Sequence, residues 1–321
     1  MEEFFGTPIY RPRDTGAGSC LLAVEHTEPD QGAVRAAIEK NQLLLIQSMD
    51  FKRASSLFAE LADHYGVGDS YRLQMQYVVH TINTRVPVDD VAVTVNERGP
   101  FQVIQSHSEG DSTAQLDLFG LYCVKNSTSG GENILSLINQ TADYSRLRAK
   151  EKVIIGAGLS NQEIGTLRQY HLDAKRVLEH CDTTCRVLTE IGRGRVVVMP
   201  VPIARARSAI TGEALMTLWD NVTVHDHAFH RHQYELLRHL GILCKGPELD
   251  YLNYMHVEED STWAPADSDS GELGHTSRYF TCHVLYKMQP ADFLIFHNRA
   301  WTHAVNNWFP DDFRQLRAMY A

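Results

Sequence analysis

Apolar residues in the first third of the chain occur either at helical spacing or in short continuous runs. Residues 31–41, QGAVRAAIEKN, and 53–66, RASSLFAELADHYG, carry apolar side chains at helical spacing, and the second stretch ends at a glycine. The apolar run QLLLIQSM at 42–49 predicts a buried strand between these two helices. Three shorter apolar runs also predict strands, at 91–96, 101–107 and 116–124.

The second half of the chain continues this pattern after a more polar middle at residues 140–192. Residues 257–279 are a long acidic, turn-rich stretch, which is typical of a lid or a binding loop. The other elements predicted here are a helical stretch at 167–181, a strand at 194–202, a helix at 230–241, and strands at 281–288 and 292–298. Strands at both ends, helices near the start and middle, and no βαβα alternation together predict an antiparallel β core decorated by helices.

Composition narrows the class of protein. The chain has 321 residues, 43% hydrophobic and 22% charged, as in an ordinary soluble globular protein. A net charge of −10 argues against a nucleic-acid partner, which would require a basic surface. Six scattered cysteines without a CxxC motif favour free thiols in a reducing compartment. No signal peptide and no long apolar run are visible, so we expect a cytoplasmic protein without a membrane partner. The oligomeric state cannot be predicted.

A histidine and a glutamate, His107 and Glu109, stand two residues apart in the segment QSHSEGD. In a strand, both side chains would project to the same face and share one metal ion. Non-haem iron sites commonly use two histidines and one carboxylate, with open positions left on the metal. The third ligand must come from elsewhere, and the tail offers His297 and His303. His297 lies within the apolar run FLIFHN, which favours a packed role, whereas His303 follows in a turn-like segment.

Five sequence elements follow one another along the chain, namely HSE at 107–109, GGEN at 130–133, PADFLIFHN at 290–298, His303, and RQLR at 314–317. Their order resembles that of the TauD/TfdA family of Fe(II)- and 2-oxoglutarate-dependent dioxygenases. The HxE form is similar to the clavaminate synthase-like branch of that family. The resemblance covers roughly residues 30–140 and 280–321.

This resemblance implies a fold, a set of cofactors and a role for each matched residue. It implies one domain, residues 1–321, with a double-stranded β-helix (jelly-roll) core, helical insertions, and an insertion or lid region at about 140–280. His107, Glu109 and His303 would hold Fe(II) and act as the catalytic centre. Arg314 would bind the distal carboxylate of 2-oxoglutarate, and Asn133 would donate a hydrogen bond to that cosubstrate. Dioxygen would take the remaining metal position.

The chain also departs from the family pattern at several positions. Asn133 stands where a threonine is usual, Ala291 replaces a turn glycine, and His297 replaces an aspartate. Ala318 stands where the family has a second, substrate-contacting arginine, so that role does not transfer. Related halogenases have a small residue in place of the ligand carboxylate, so Glu109 favours hydroxylation, desaturation or ring formation over halogenation.

Four further side chains are candidates for a substrate site. Arg205 and Arg207 follow a predicted strand and would share one face, so they either bind a substrate carboxylate or form a surface pair. Arg299 either lines the site or makes a salt bridge, and Trp301 either walls the site or packs in the core. The cluster HDHAFHRH at 225–232 is interpreted as a solvated loop, and the alternative is that one of its histidines lines the substrate site.

The sequence therefore predicts an oxygenase that acts on a small molecule. The expected reaction is hydroxylation of a small amino acid or an amino-acid-derived metabolite in a biosynthetic pathway, coupled to conversion of 2-oxoglutarate to succinate. One rival is desaturation, cyclisation or multi-step oxidation of a larger secondary metabolite, which the long stretch at 257–279 favours as a mobile cover. The non-enzymatic rival is a β-sandwich binding protein whose histidines are structural.

Overall fold

The computed structural model describes residues 2–11, 22–25, 30–68, 85–95, 101–110, 116–155, 186–191, 194–223, 226–246 and 270–321. Five helices lie within these ranges, namely α1 (Gln31–Asn41), α2 (Phe51–His64), α3 (Asp220–Thr223), α4 (His227–His239) and α5 (Ser270–Ser277). Aspartates cap the first two of them. Asp30 accepts a hydrogen bond from Ala33 N, and Asp50 accepts one from Lys52 N, so α2 begins two residues before the predicted start.

Two six-stranded sheets form the body of the molecule. Sheet A contains, in spatial order, β1 (Glu2–Phe4), β2 (Thr7–Tyr10), β14 (Phe280–Tyr286), β8 (Asn133–Ile138), β16 (Trp301–Val305) and β6 (Ile104–His107). Sheet B contains β3 (Leu22–Glu25), β4 (Leu43–Gln47), β15 (Phe293–His297), β7 (Leu118–Lys125), β17 (Gln315–Tyr320) and β5 (Ala92–Thr94). Two smaller sheets contain β9 (Arg148–Ile155), β10 (Arg186–Ile191) and β11 (Gly194–Pro202), and β12 (Arg205–Arg207) with β13 (Ala214–Met216).

The chain passes repeatedly from one large sheet to the other. The strands from β5 to β8 alternate between sheets B and A, and those from β14 to β17 alternate between A and B. Within each sheet, strands from the first group pair antiparallel with strands from the second. This is the connectivity of a double-stranded β-helix, and it confirms the predicted β core with added helices.

Strands such as β15 are buried on both faces, which explains their continuous apolar sequence. Leu294 and Phe296 point between the two sheets, while Phe293 and Ile295 point outward against the layer that contains α1 and α2. Helix α4 covers the outer face of sheet A through Leu236 and its neighbours. Each sheet is therefore covered by helix on its outer face, and side chains from both sheets fill the space between them.

Two sequence predictions need correction. The stretch 257–279 was expected to be a loop throughout, but Ser270–Ser277 forms α5, and residues 257–269 lie outside the described residues. Residues 301–305 around His303 were expected to be turn-like, yet they form β16 because backbone pairing on both sides completes sheet A. The predicted helix at 167–181 also lies outside the described residues, and the single domain with a lid stays a prediction. No helix in the described ranges has the length and apolar character needed to cross a membrane.

Candidate active site

Strand pairing brings distant parts of the chain together at one point of sheet A. In the antiparallel pair β6–β16, His107 lies directly opposite His303, so both imidazoles project from the same inner face. Glu109 follows, and its Oε1 lies 3.7 Å from His107 Nε2 and 3.6 Å from His303 Nε2. One ligand atom from each residue lies within 4.8 Å of the other two, and this is the one such group of three found in the described ranges.

The structure brings His303, rather than His297, to this point. His297 is fully buried, with its Nε2 2.9 Å from Ser208 Oγ and 3.7 Å from Asp117 Oδ1. Burial lowers the pKa of His297, although Asp117 opposes this effect, so the ring is neutral near pH 7. Its position agrees with the packed role that the sequence favoured.

The orientation of each imidazole is set by a neighbouring group. His107 Nδ1 lies 2.9 Å from the Gln105 carbonyl oxygen, so Nδ1–H donates to it and Nε2 faces Glu109. The His303 ring stacks on Phe119, with centroids 4.8 Å apart and an interplanar angle of 23°. The two imidazole centroids are 4.4 Å apart. Both rings are therefore held with Nε2 toward the carboxylate.

The backbone around Glu109 is held from two sides. Glu109 N donates to Asn298 Oδ1 at 2.9 Å, and Asn298 Nδ2 donates back to the Glu109 carbonyl at 2.8 Å and to the Leu116 carbonyl at 3.0 Å. Ser108 N donates to the Leu218 carbonyl, and the Ser108 carbonyl accepts from Asp220 N. Hydrogen bonds to Asn298, just after β15, and to the start of α3 and the residues before it therefore hold the backbone of the HSE tripeptide in place.

Electrostatics at the site favour an ionised glutamate. Burial raises the pKa of Glu109, but Arg85 and His107 lower it by more, and its net pKa is about 2. Burial lowers the pKa of His107, whereas Glu109 and Asp220 raise it by more, so its net pKa lies above the ordinary 6.5. A metal ion that binds here would therefore replace a proton on His107, which makes binding favoured by rising pH.

The three side chains fit a metal ion of the Fe(II) type. Glu109 Oε1 lies 3.6–3.7 Å from the two histidine Nε2 atoms, which is too long for direct hydrogen bonds. Ligand atoms bonded to one ion at about 2.1 Å lie about 3.0 Å apart at right angles, so shifts of about half an ångström would bring Glu109 Oε1 to that distance from each histidine nitrogen. Two imidazole nitrogens and one carboxylate on one face are the ligand set of the 2-His-1-carboxylate iron sites.

A second polar pair, Arg314 and Asn133, lies along the same inner face. Arg314 Nη2 donates to Asn133 Oδ1 at 3.0 Å, and Asn133 is fully buried on β8, opposite Val305. His303 lies two residues before Val305, on the same face of β16. Among the described residues, no partner is found for Asn133 Nδ2 or Arg314 Nε. Burial lowers the pKa of Arg314 to about 10, so it remains charged at neutral pH, and the pair presents unused donors to a carboxylate.

The turn that precedes Asn133 packs tightly against the segment that leads to Arg314. Gly130 has φ +59°, and a Cβ there would lie 1.7 Å from the Asn307 carbonyl oxygen, so only glycine fits. Asp312 Oδ2 accepts hydrogen bonds from Thr128 Oγ1 and from the backbone and hydroxyl of Ser129, at 2.7–2.9 Å. These contacts fix the two ends of the Arg314–Asn133 pair relative to each other.

The four substrate candidates lie at different depths. Arg205 and Arg207 are exposed on the β12–β13 hairpin and donate to surface groups, including the Ala214 and Gly212 carbonyls. Arg299 is buried and forms a bidentate salt bridge with Asp117, which is the salt-bridge alternative given for it in the sequence analysis. Trp301 is fully buried on the inner face of β16, two residues from His303 and within the core between the sheets.

The interpretation of HDHAFHRH as a solvated loop is wrong for the described residues 226–232. Asp226 accepts a hydrogen bond from Ala228 N and starts α4 at His227, three residues before the predicted start. His230 and His232 belong to this helix and are buried, and His232 Nε2 lies 2.9 Å from Ser277 Oγ. His225 lies outside the described residues.

Sequence reasoning missed two residues that contact the site. Asn298 was visible only as part of the PADFLIFHN match, and its clamp on Glu109 depends on tertiary contact. Arg85, whose Nη2 lies 4.0 Å from Glu109 Oε1, carried no local signal at all. An isolated arginine before a short strand has no pattern that would distinguish it from a surface residue.

Comparison with known proteins gives similarity at the level of structure only. No family model matches the chain, and no curated protein matches it. A protein assigned as an alpha-ketoglutarate-dependent taurine dioxygenase from Burkholderia xenovorans superposes with a TM-score of 0.42 and 13% identity, covering 93% of this chain and 88% of that one.

Two other solved structures are similar to a comparable degree. PvcB, an Fe, alpha-ketoglutarate dependent oxygenase from an isonitrile synthetic pathway, has a TM-score of 0.42 and 12% identity, covering 94% of this chain and 84% of its own. AAD-2 in complex with Mn(II) and N-oxalylglycine has a TM-score of 0.40 and 11% identity, covering 94% and 93%. Similarity at this level leaves the chemistry to be argued from the residues of the site.

Proposed function

We propose that this chain is an Fe(II)- and 2-oxoglutarate-dependent dioxygenase of the TauD/TfdA type. The observation that carries the proposal is the convergence of His107, Glu109 and His303 on the inner face of sheet A. The Arg314–Asn133 pair on the same face, with Asn133 fully buried and Arg314 partly buried, would supply a fixed cation for the distal carboxylate of the keto acid. A protein whose histidines were merely structural would not need both features.

Each residue has a defined task in this reaction. His107, Glu109 and His303 would hold the metal, since two histidines and one carboxylate are the ligands of this class of iron site. Arg314 and Asn133 orient 2-oxoglutarate so that its C1 carboxylate and keto oxygen face the metal. The iron, when bound, supplies the activation of dioxygen. In the overall reaction, 2-oxoglutarate, O₂ and a substrate C–H group yield succinate, CO₂ and a C–OH group, with one oxygen atom in succinate and one in the product.

The substrate class is proposed to be a small amino acid or an amino-acid-derived metabolite. Glu109 would be the carboxylate ligand of the metal, which supports hydroxylation and disfavours delivery of a halide. Asn298 holds the Glu109 backbone and so preserves that ligand during turnover. Product mass distinguishes the reaction types, because hydroxylation adds one oxygen while desaturation or ring closure removes two hydrogens.

The test is succinate release by the protein loaded anaerobically with Fe(II) and then given 2-oxoglutarate, oxygen and a panel of amino acids. We expect release that depends on one or a few amino acids and is lost in His107→Ala. His283→Gln is the matched control, since His283 is also a buried histidine, its Nδ1 lies 2.7 Å from Ser136 Oγ, and it is not one of the three candidate metal ligands. Succinate release that persists unchanged in His107→Ala would refute the proposal.

A further inference from the structure

Trp301 has a buried indole N–H group without a hydrogen-bond partner. The side chain is fully buried on the inner face of β16, in the core cluster between the two sheets. Among the residues that the structure describes, no acceptor is found for its Nε1. An indole N–H can only donate, and native proteins rarely leave a buried donor unpaired, because the lost bond to water is not replaced. This N–H group therefore points to an acceptor that a ligand supplies.

Trp301 lies on the side of the metal position that the keto acid would leave open. Three inner-facing residues follow one another along β16, namely Val305, His303 and Trp301, with about 7 Å between successive levels. Val305 lies opposite Asn133, at the level of the proposed keto-acid anchor, and His303 is a proposed metal ligand. The keto acid would extend from the first level to the second, so the third level, at Trp301, is left for the substrate.

The space beside Trp301 is open, as binding of a substrate requires. Leu137 lies directly opposite Trp301 on β8, a strand in the interior of sheet A, and packs against the same core cluster. If side chains filled the space between the sheets at this level, Leu137 would be buried, yet it is partly exposed. The Trp301 carbonyl also accepts a hydrogen bond from Ser108 Oγ at 3.4 Å, which places Trp301 next to the HSE tripeptide. An opening therefore reaches the inner face beside the proposed metal ligands.

We propose that the Trp301 indole N–H donates a hydrogen bond to an oxygen of the substrate that is oxidised, an inference that rests on the function proposed above. A carboxylate or carbonyl group of an amino acid or its derivative carries such an oxygen. The N–H group is shielded from water in this structure, so the indole ring turns toward the opening when the substrate enters. A substrate without the acceptor would leave the N–H unpaired and would bind more weakly, which makes Trp301 a specificity-determining residue.

The first measurement compares the wild type with Trp301→Phe, which keeps an aromatic ring but removes the N–H. The probe is the member of a panel of L-amino acids that most strongly stimulates succinate release by the Fe(II)-loaded chain. Its KM should rise about tenfold in Trp301→Phe, as expected for the loss of one hydrogen bond. The Kd values of Mn(II) and of 2-oxoglutarate, measured by anaerobic calorimetry, should stay within about twofold, because the proposed contact is to neither.

Two further variants separate the loss of the N–H from the loss of ring volume. Trp219→Phe is the matched control, since Trp219 is a buried tryptophan that packs in a different core cluster, and its KM should equal that of the wild type. Incorporation of 3-benzothienylalanine at position 301 keeps the two fused rings and replaces the N–H by sulfur. This variant should raise KM as Trp301→Phe does, and it takes the place of Trp301→Phe should that variant fail to fold.

The second measurement observes the N–H group itself by NMR of the chain labelled with nitrogen-15. The chain has four tryptophans, and the indole signal of Trp301 is the one that is missing from Trp301→Phe. The sample contains Zn(II) in place of Fe(II), together with 2-oxoglutarate. The indole proton should resonate upfield, as an N–H without an acceptor does, and should move downfield when the stimulating amino acid is added.

An unchanged KM in the variants at position 301 overturns the inference. A Trp301 proton that already resonates downfield before the amino acid is added also overturns it, because the N–H then has another acceptor, such as an ordered water. The same holds if Trp301→Phe loses affinity for 2-oxoglutarate, since Trp301 would then serve the keto acid or the fold. A wild type that binds Mn(II) and 2-oxoglutarate but responds to no amino acid overturns the substrate class and this inference together, whereas one that binds neither refutes the proposed function itself.

Discussion

Replacing Asn298 by alanine would remove three hydrogen bonds beside the proposed metal ligands and leave the three ligand side chains unchanged. Two of these bonds join Asn298 to the backbone N–H and carbonyl of Glu109, and the third joins it to the Leu116 carbonyl, all at 2.8–3.0 Å. Asn298 is fully buried, so water cannot replace the lost partners without entering the core. The Glu109 carboxylate would lose the anchor that aims it at the two histidines.

The size of the effect follows from these contacts. Each hydrogen bond contributes about 1 kcal/mol net, and a buried backbone group left without a partner costs about 1–3 kcal/mol. We therefore expect the free energy of unfolding to fall by about 3 kcal/mol, which a domain with about 5–15 kcal/mol can tolerate. Groups that orient metal ligands typically contribute 10- to 100-fold to metal affinity, so Mn(II) affinity should fall by that factor.

Asn307→Ala provides a matched control for this experiment. Asn307 is equally buried and also makes three hydrogen bonds to backbone groups, of Phe101 and Cys244, at 2.9–3.0 Å. Urea unfolding should show similar losses of stability for both variants, while Mn(II) titration against a competing chelator should separate them. Equal Mn(II) affinities in Asn298→Ala and Asn307→Ala would show that the clamp on Glu109 does not position the ligand.

Two further predictions concern stability. Gly130→Ala places a Cβ 1.7 Å from the Asn307 carbonyl oxygen, whereas Gly212 has a similar positive φ with open space around it. The free energy of unfolding, measured in urea, should therefore fall by at least about 2 kcal/mol more in Gly130→Ala than in Gly212→Ala. Burial lowers the pKa of His283 from 6.5 to about 3, so the unfolded chain takes up that proton first as the pH falls. Between these two values His283 should remove about 1.4 kcal/mol of stability per pH unit, and a slope unchanged in His283→Gln would contradict this.

The sequence predicted those helices and strands whose pattern of apolar residues follows directly from the faces that they bury. Residues 31–41 form α1 as expected, because apolar side chains at helical spacing face sheet B. The β15 strand was visible as a continuous apolar run, because both of its faces are covered. The short strand β16 was not recognised, since five buried residues between polar turns show no alternation, and its conformation depends on pairing with β6 and β8.

Within the site, the types of the residues and their order along the chain predicted more than the expected secondary structure did. His107, Glu109 and His303 could be chosen because metal chemistry restricts which side chains can serve. Arg85 and Asn298 could not be assigned a role, because what they do is set by distances to Glu109 that exist only in the folded chain. The same limit applies to Arg299, whose partner Asp117 lies 182 residues away in the sequence.

The central claim is that three side chains bind one metal ion, and the most direct test is the metal stoichiometry of the wild type beside two histidine variants. Anaerobic titration with Fe(II), followed by removal of free metal, should give one ion per chain in the wild type and His283→Gln. His303→Ala should retain almost none while keeping the circular dichroism spectrum of the folded protein. A wild type without stoichiometric iron, or a His303→Ala variant that retains it, would contradict the account.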